Sequence, residues 1–543
     1  MFVQVVAGRE RSSDCKEAFT LFGHKGTMSI ATLQASRPAL NGRAALPAAG
    51  LALFVALSLC PVLLIEIPAM VDYPNHLARM SLLMRAGTAD ANPFYEIAWA
   101  LYPNLAMDLL VPPLGRLLGL EAATRLFLLL SQILLVSGAF AIELVRRRRF
   151  LASGVTATML LYSLPFAFGF VNFEFALGIA LWGIALWIAL QERPLAARAV
   201  HTAFVAVLFV SHLFALGIYG LTIGIIELRR VRTDRTPLPR AAAMFAILAA
   251  PALLGAVLLL AGGGSVGGSQ NVWAPGQKLA WLFPLNGYWF WFSGACAAPL
   301  AFFAYVFARE GWISIESEGK WLGIGFLAVY LAMPFRLFDT AFVDLRVVVA
   351  AALILPSYVS LRVPARPWAI TGAATVGAIA MANLGVVAYV QGSYQSEYRA
   401  IVSSFERLER GSRVLVGHTG DGDDPPADLM EYPIYHAPVL AVHYANALVP
   451  TLFAYPGKQP IVTRASTRAP SVRDSGPVPI AVLRDIAAGL AEADQTSFAR
   501  NWTADFAYLY LVGKRIPNPM SERLEELATG ARFTLYRIRA AQP

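Results

Sequence analysis

The sequence predicts a polytopic α-helical membrane protein of about 11 transmembrane helices with a small α/β extracytoplasmic C-terminal domain, and three observations carry the prediction. The 543-residue chain is 57% hydrophobic and only 15% charged, with a mean hydropathy of +0.55, too apolar for a water-soluble chain of this length. Its arginines fall in short clusters between apolar runs, so the formal charge of +9 is a topology signal and not the footprint of a nucleic-acid partner. From about residue 392 the long apolar runs stop, and short strand-like and helix-like patterns alternate.

The elements follow in order. Residues 1–45 carry Arg9, Arg11, Lys16, Lys25, Arg37 and Arg43 without a short apolar core and cleavage site, and read as a disordered cytoplasmic tail. A helix needs about 20 apolar residues to cross the hydrocarbon core, so 46–68 is a first span leading outward. The run 104–120 is interrupted by Asp108, Pro112, Pro113 and Arg116, and reads as an interfacial helix pair inside a long outer loop, 69–121. Span 122–145 ends at Arg146, Arg147, Arg148 and Arg149 and therefore runs inward. Spans 151–170 and 172–191 form a hairpin whose outer turn is PFAFGFVNFEF. Both ends of 199–228 are basic, which two short helices turning near Ser211 and His212 satisfy. Spans at 241–261, 288–308, 321–338, 344–362 and 367–390 complete the transmembrane domain, 46–391. The loop 309–320 mixes Arg309 and Lys320 with three glutamates and takes its side from alternation. In the domain 392–543, RVLVG, FAYLYLVG and FTLYRIR predict strands, while VLRDIAAGLAEA and MSERLEELATG predict amphipathic helices. The stretch VHYANALVPTLFAYPGKQP sits against the membrane face or packs the domain's core.

Ionisable groups at span edges are costly to keep, by about 2.5–3.5 kcal/mol for Asp or Arg at a helix centre, and those that remain are candidates for chemistry. Asp72, in VDYPNHLARM directly after the first span, suits a general base on an acceptor hydroxyl, and Pro74 restricts Tyr73 to an extended conformation. It equally suits a helix cap, as does Asn75. His76 binds a phosphate or a metal, or is hydrogen-bonded to a neighbouring loop. Arg336 and Arg346 suit an anionic leaving group, or pair with Asp339 and Asp344. Glu174 is a second acid, a metal ligand or the buried partner of Asn172; Lys278 is an interface anchor or a phosphate contact. Arg79 and His212 lie at the same outer depth. DGDDPPAD at 421–428 reads as a flexible acidic loop, lacking the ligand spacing of a calcium hand. Cys15, Cys60 and Cys296 are too scattered for a metal site or disulfide framework, and no nucleotide-binding loop or hydrolase signature is present.

A first span, an acidic residue at once in a long outer loop with interfacial helices, many further spans and an outer C-terminal domain resemble the GT-C membrane glycosyltransferases, of the protein mannosyltransferase and aminoarabinose transferase type. DYPNHLAR is the local motif carrying the resemblance. It implies an enzyme that moves a sugar from a polyprenyl-phosphate carrier to a lipid, glycan or protein acceptor at the outer face of a bacterial inner membrane, with membrane lipids as further partners. It also implies Asp72 as general base, with His76, Arg79, Glu174, His212, Lys278, Arg336 and Arg346 as substrate-binding residues. The family's first outer loop carries an aspartate or an Asp-Glu pair; here Tyr73 stands at the second position, which leaves a divalent cation open as cofactor. The competing readings are a multi-pass transporter or lipid flippase, which places ionisable groups near the midplane in repeated halves, and a non-catalytic scaffold.

Overall fold

The structure, a computed structural model, describes residues 42–147, 152–261, 271–337, 340–420, 432–454, 457–467, 476–490 and 498–539. The expected tail lies outside the described residues except for its last few, and so does the acidic segment 421–428.

The first half of the chain forms α1 (Gly42–Leu64), α2 (Tyr73–Arg85), β1 (Tyr95–Ile97), α3 (Ala106–Leu118), α4 (Leu120–Arg147), α5 (Ala152–Met159), α6 (Leu164–Phe168), α7 (Val171–Ala189), α8 (Pro194–Ser211), α9 (Leu213–Thr233) and α10 (Leu238–Ala261). There follow α11 (Phe290–Arg309), β2 (Ile313–Ile315), α12 (Ser317–Ala332), β3 (Arg336–Leu337), β4 (Thr340–Ala341), α13 (Val343–Ile354), β5 (Val359–Leu361) and α14 (Arg366–Ser404). Six helices among the described residues, α4, α7, α8, α10, α11 and α14, are long and apolar enough to cross a membrane. Length and composition therefore do not by themselves return the eleven expected spans.

The departures have local causes. Segment 104–120 contains one helix, α3, and not a pair: Pro112 and Pro113 lie inside it, and packing on α2, α4 and α7 outweighs the lost backbone bonds. At 13 residues it is about 20 Å long, too short to cross. The expected span 151–170 is broken, because Pro165 starts α6 behind Ser163 and Gly169 closes it in the left-handed conformation. Pro356 ends α13 within the expected span 344–362. The last span runs on as the 39-residue α14, about 58 Å long, so the expected boundary at 392 falls inside a continuous helix. The predicted turn at Ser211 and His212 is where α8 stops and α9 begins, with His212 extended (φ −169°, ψ 121°).

Helices α4 and α7 form the centre of the bundle. They approach through glycines: a Cβ on Gly178 would lie 2.6 Å from Leu134 Cβ, and one on Gly138 would lie 2.7 Å from Leu181 Cβ, the small-residue contact that lets backbones meet in a membrane. At one end of the bundle Arg146 and Arg147 of α4 and Arg229 of α9 pair with Glu316 and Glu318, which flank the start of α12. The glutamates of loop 309–320 thus neutralise the arginine clusters and place that loop at the basic end, as alternation required.

At the other end sits the C-terminal part: β6 (Val414–His418), α15 (Tyr432–Tyr435), α16 (Ala441–Tyr444), β7 (Ile461–Thr463), β8 (Val478–Pro479), α17 (Ile480–Ala487), α18 (Trp502–Asp505), β9 (Tyr508–Val512), β10 (Leu524–Thr529) and β11 (Phe533–Ile538). Its sheet has the order β10-β11-β9-β6-β8, antiparallel from β10 to β9 and parallel from β9 to β8. Alternate residues explain why the predicted strands are apolar on both faces: Val414, Val416, Tyr510 and Leu535 join the core of the helical bundle, while Leu415, Leu509, Leu511 and Tyr536 join a second core with Leu483 and Trp502. MSERLEELATG departs from its sequence assignment. Its LEELAT is the edge strand β10 and not a helix, because pairing with the buried β11 outweighs helix propensity, while Glu525 and Glu526 face Arg539 and Arg515. The stretch around VHYANALVP packs on α2, and β7 pairs antiparallel with β1, so the C-terminal part grips the loop 69–121.

Candidate active site

The stretch VDYPNH is held by the turn between α6 and α7. Val71 and Asp72 donate their backbone N–H groups to the carbonyls of Ala167 and Phe168, at 2.9 and 3.0 Å, and His76 Nε2 donates to the carbonyl of Gly169 at 2.9 Å. Gly169 has φ +89°, and a Cβ there would stand 3.0 Å from Asp72 Cβ, so two independent constraints require glycine. Two segments about a hundred residues apart are thus clamped backbone to backbone.

Asp72 occupies the N-cap position of α2, yet its side chain makes no capping bond. Asn75 does not cap either; its Oδ1 accepts from the Phe453 N–H at 2.9 Å. The half-buried Asp72 carboxylate forms no hydrogen bond or ion pair among the described residues. Burial pushes its pKa up to about 7, opposed by the positive charges of Arg346 and then Arg79. His76 is driven the other way, down to about 3, by burial and by Arg79. It is therefore a neutral imidazole whose Nε2–H is committed to Gly169 and whose Nδ1 has no partner.

Arg346, on the first turn of α13, is near enough for its charge to act on Asp72. Its side chain is buried, its Nε and Nη1 have no hydrogen-bond partner, and the guanidinium lies 4.4 Å from the ring centre of Phe170, 5.1 Å from Phe214 and 5.4 Å from Phe173. The rings hold the cation without satisfying its donors. His212 belongs to the same cage: its ring is 5.5 Å from Phe173, and its Nδ1 accepts from the Phe214 N–H at 3.2 Å. Beside it Phe342 adopts φ +58°, a left-handed conformation unusual for a bulky side chain, and packs at 4.4 Å on Phe168 and 5.6 Å on Trp281. Trp281 Nε1 is another buried donor without a partner.

The remaining candidates divide. Glu174 is buried in the first turn of α7, adjacent to Phe173, but it does not bond Asn172, whose amide serves Asn104 and the Met107 N–H. Arg79 is buried and committed: Nε and Nη2 meet the Asp108 carboxylate at 2.9 and 3.1 Å, and Nη1 meets Gln459 Oε1 at 2.5 Å. It fastens α2 to α3 and to the C-terminal part. Lys278 is not a solvated anchor. Its ammonium is buried and donates to the carbonyls of Tyr330 and Met333 at 2.7 and 2.8 Å and to Asp344 at 3.3 Å. That bond also takes Asp344 away from the expected pairing with Arg346. Arg336 lies in the β3–β4 hairpin, where its backbone exchanges two bonds with Val272; Asp339 lies outside the described residues. The structure thus brings together Asp72, His76, His212 and Arg346; Glu174 follows Phe173 in the chain but its carboxyl lies toward Tyr162 and Tyr288, and Arg79 and Lys278 are spent on framework bonds. Among the described residues no three His, Cys, Asp or Glu side chains are grouped to hold a metal, and the charges acting on Asp72 are arginines, a setting that does not suit a divalent cation.

Sequence reasoning missed Gly169, the aromatic cage and Phe342. FAFGF and RLFDTAFVDLR do display their phenylalanines, but an aromatic stripe in a membrane protein ordinarily faces lipid or core, and only the fold turns these toward a cation.

No protein-family model and no curated protein matches the chain in sequence. Solved structures do match in shape. ArnT from Cupriavidus metallidurans in the apo state superposes with a TM-score of 0.52 at 12% identity, covering 92% of this chain and 99% of that one. The same protein bound to undecaprenyl phosphate gives 0.50 at 11% identity, covering 90% and 98%. The chain therefore is an integral membrane protein with the fold of ArnT.

Proposed function

We propose that this protein is a GT-C glycosyltransferase that moves a sugar from a polyprenyl-phosphate carrier to a hydroxyl of a lipid, glycan or protein acceptor. The reading places the N-terminus in the cytoplasm and the reaction at the outer face of the bacterial inner membrane. The observation that supports it best is a carboxylate and a guanidinium, Asp72 and Arg346, whose charges act on each other and which among the described residues have no hydrogen-bonded or ionic partner. A fully formed salt bridge would be framework; two unpaired opposite charges held by separate elements suit a substrate that carries both a proton to lose and a phosphate to accept.

In the step itself the acceptor oxygen attacks the anomeric carbon, the bond from that carbon to the carrier phosphate breaks, and the hydroxyl proton passes to Asp72. The bonding pair leaves with the phosphate, whose added negative charge Arg346 stabilises. Phosphate is a competent leaving group, so one base and one cation suffice, without the acid and base pair of a hydrolase. A carboxyl raised to about 7 accepts a proton more readily than an ordinary aspartate and is still largely ionised just above neutrality. His76, neutral, offers Nδ1 as an acceptor for a sugar hydroxyl, and Phe170 with Phe342 walls the site from water.

Undecaprenyl phosphate binding to the purified full chain tests the phosphate half of this reading. Arg346→Met should weaken it by about tenfold or more, and Asp72→Asn should leave it unchanged or tighter, since removal of a nearby negative charge favours an anion. Equal binding by wild type and Arg346→Met would remove Arg346 from the site.

A further inference from the structure

We propose that Gln391 and Gln395 of α14 are positioning residues for Asp72, an inference that rests on the reading of Asp72 as the base. Between Leu64 at the end of α1 and Tyr73 at the start of α2 the chain has no repeating structure, yet Ile65 and 67–71 are buried. Each buried N–H there needs a partner. Pro68 has none to satisfy, and Met70 finds the carbonyl of Pro68 at 2.9 Å. The N–H groups of Glu66, Ile67, Ala69, Val71 and Asp72 look outside the segment.

Gln395 Oε1 accepts from the N–H groups of Glu66 and Ile67, at 2.9 and 3.2 Å, and its Nε2 donates back to the Ile67 carbonyl at 2.8 Å. One turn earlier, Gln391 Oε1 accepts from the Ala69 N–H at 2.9 Å, and its Nε2 donates to the Tyr288 hydroxyl at 2.6 Å. Val71 and Asp72 then donate to the end of α6. Every N–H from Glu66 to Asp72 is thereby taken: three by the two amide side chains of α14, two by carbonyls of α6, and that of Met70 by the Pro68 carbonyl. Spacing of four residues puts both glutamines on one face of α14. The orientation of Gln391 is determined, because Ala69 N–H requires the amide oxygen and leaves the nitrogen for Tyr288.

The consequence concerns where the carboxylate stands. The α6 clamp fixes Asp72 only relative to α6 and α7, and among the described residues the only other hydrogen bond that ties the segment 65–70 to the rest of the fold is that of Arg125 Nη1 with the Ile65 carbonyl, at 2.9 Å. The same helix continues to the C-terminal part, where Tyr398 donates to the Pro433 carbonyl at 3.3 Å and Ser404 meets the Tyr510 hydroxyl at 2.9 Å. Asp72 and the segment that covers α2 are thus referred to a single rod.

The test uses the full chain with Gln391→Leu, Gln391→Glu and, alongside, Asp72→Asn. Hydrogen exchange is read at residues 66–72, undecaprenyl phosphate serves as the binding probe, and product is measured by mass spectrometry in complemented cells. In Gln391→Leu, exchange at Ala69 to Asp72 should quicken and product should fall about tenfold or more while carrier binding stays within about twofold, since a displacement of about 1 Å can cost about 10²-fold in rate. Gln391→Glu should recover most of the product, because a carboxylate accepts from both the Ala69 N–H and the Tyr288 hydroxyl. A purely structural role would lower carrier binding and product together without that rescue. Wild-type exchange and product in Gln391→Leu, with Asp72→Asn inactive, would overturn the positioning role and leave the base standing. Full product in Asp72→Asn would overturn both.

Discussion

Asp72 carries a charge in a place that disfavours it, and this has two consequences that can be measured. Its pKa is raised from 3.8 to about 7, so the protonated form is favoured in the folded chain. The stability linked to this group is complete below pH 3.8 and is lost as pH rises to 7. Asp72→Asn should therefore raise the melting temperature by about 2 °C at pH 8 and by less at pH 5. Activity should run the other way: transfer by wild type should rise with pH through about 7, as the base ionises, and Asp72→Asn should lose about 10²- to 10⁴-fold at every pH. A flat pH profile would separate the carboxylate from the chemistry. At this scale the sequence was partly legible. DYPNHLARM stood out because a carboxylate beside a span is costly wherever it lies. Arg346, Arg336 and Lys278 could not be ranked from the sequence, because what distinguishes them is the partner each finds among the described residues: aromatic rings with no acceptor for Arg346, three oxygens for Lys278, and the backbone of Val272 for the backbone of Arg336.

At the scale of elements, two glycines define close approaches of different kinds. Gly169 brings the α6–α7 turn against Asp72, and Gly169→Ala adds a Cβ at 3.0 Å from Asp72 Cβ in a left-handed conformation; product formation should drop about tenfold or more with little change in the amount of folded protein. Gly178 seats α7 on α4, where a Cβ would meet the Leu134 and Leu135 backbone at 2.9 Å. Gly178→Ala should destabilise by about 1–3 kcal/mol, read as a lower melting temperature, while the pH profile of the remaining activity is unchanged. Elements were legible where a pattern had one interpretation, as for β6, β9, β11 and the break at His212. They were misread where two periods coincided. In LEELAT, Leu524 and Leu527 are three apart and fit a helix, but the neighbour that decides is β11, which follows in sequence only after the turn. The break at Pro165 was written in the sequence, by Pro165 and by the left-handed Gly169, and was passed over because the run 151–170 is apolar throughout.

For the whole molecule, the layout of a first span, a long loop with an amphipathic helix, many spans and a C-terminal sheet was legible, and it is the ArnT fold. The way its parts lock was not, because the locks link residues hundreds of positions apart: Arg79 with Gln459, Asn75 with Phe453, β1 with β7, and His443 with Ser81 and Glu121, at 2.9 and 3.0 Å. The C-terminal part is bound along the length of α2, so the helix that begins at Asp72 is held on one side by the membrane bundle and on the other by this part. The proposed transfer of a sugar with Asp72 as base is open to mass spectrometry of lipid and glycan extracts from cells lacking the gene, complemented with wild type or with Asp72→Asn. Deletion should accumulate a polyprenyl-phosphate sugar or remove one sugar mass from a product, and wild type alone should restore it. Full restoration by Asp72→Asn, or extracts unchanged by deletion, would contradict the proposed transfer.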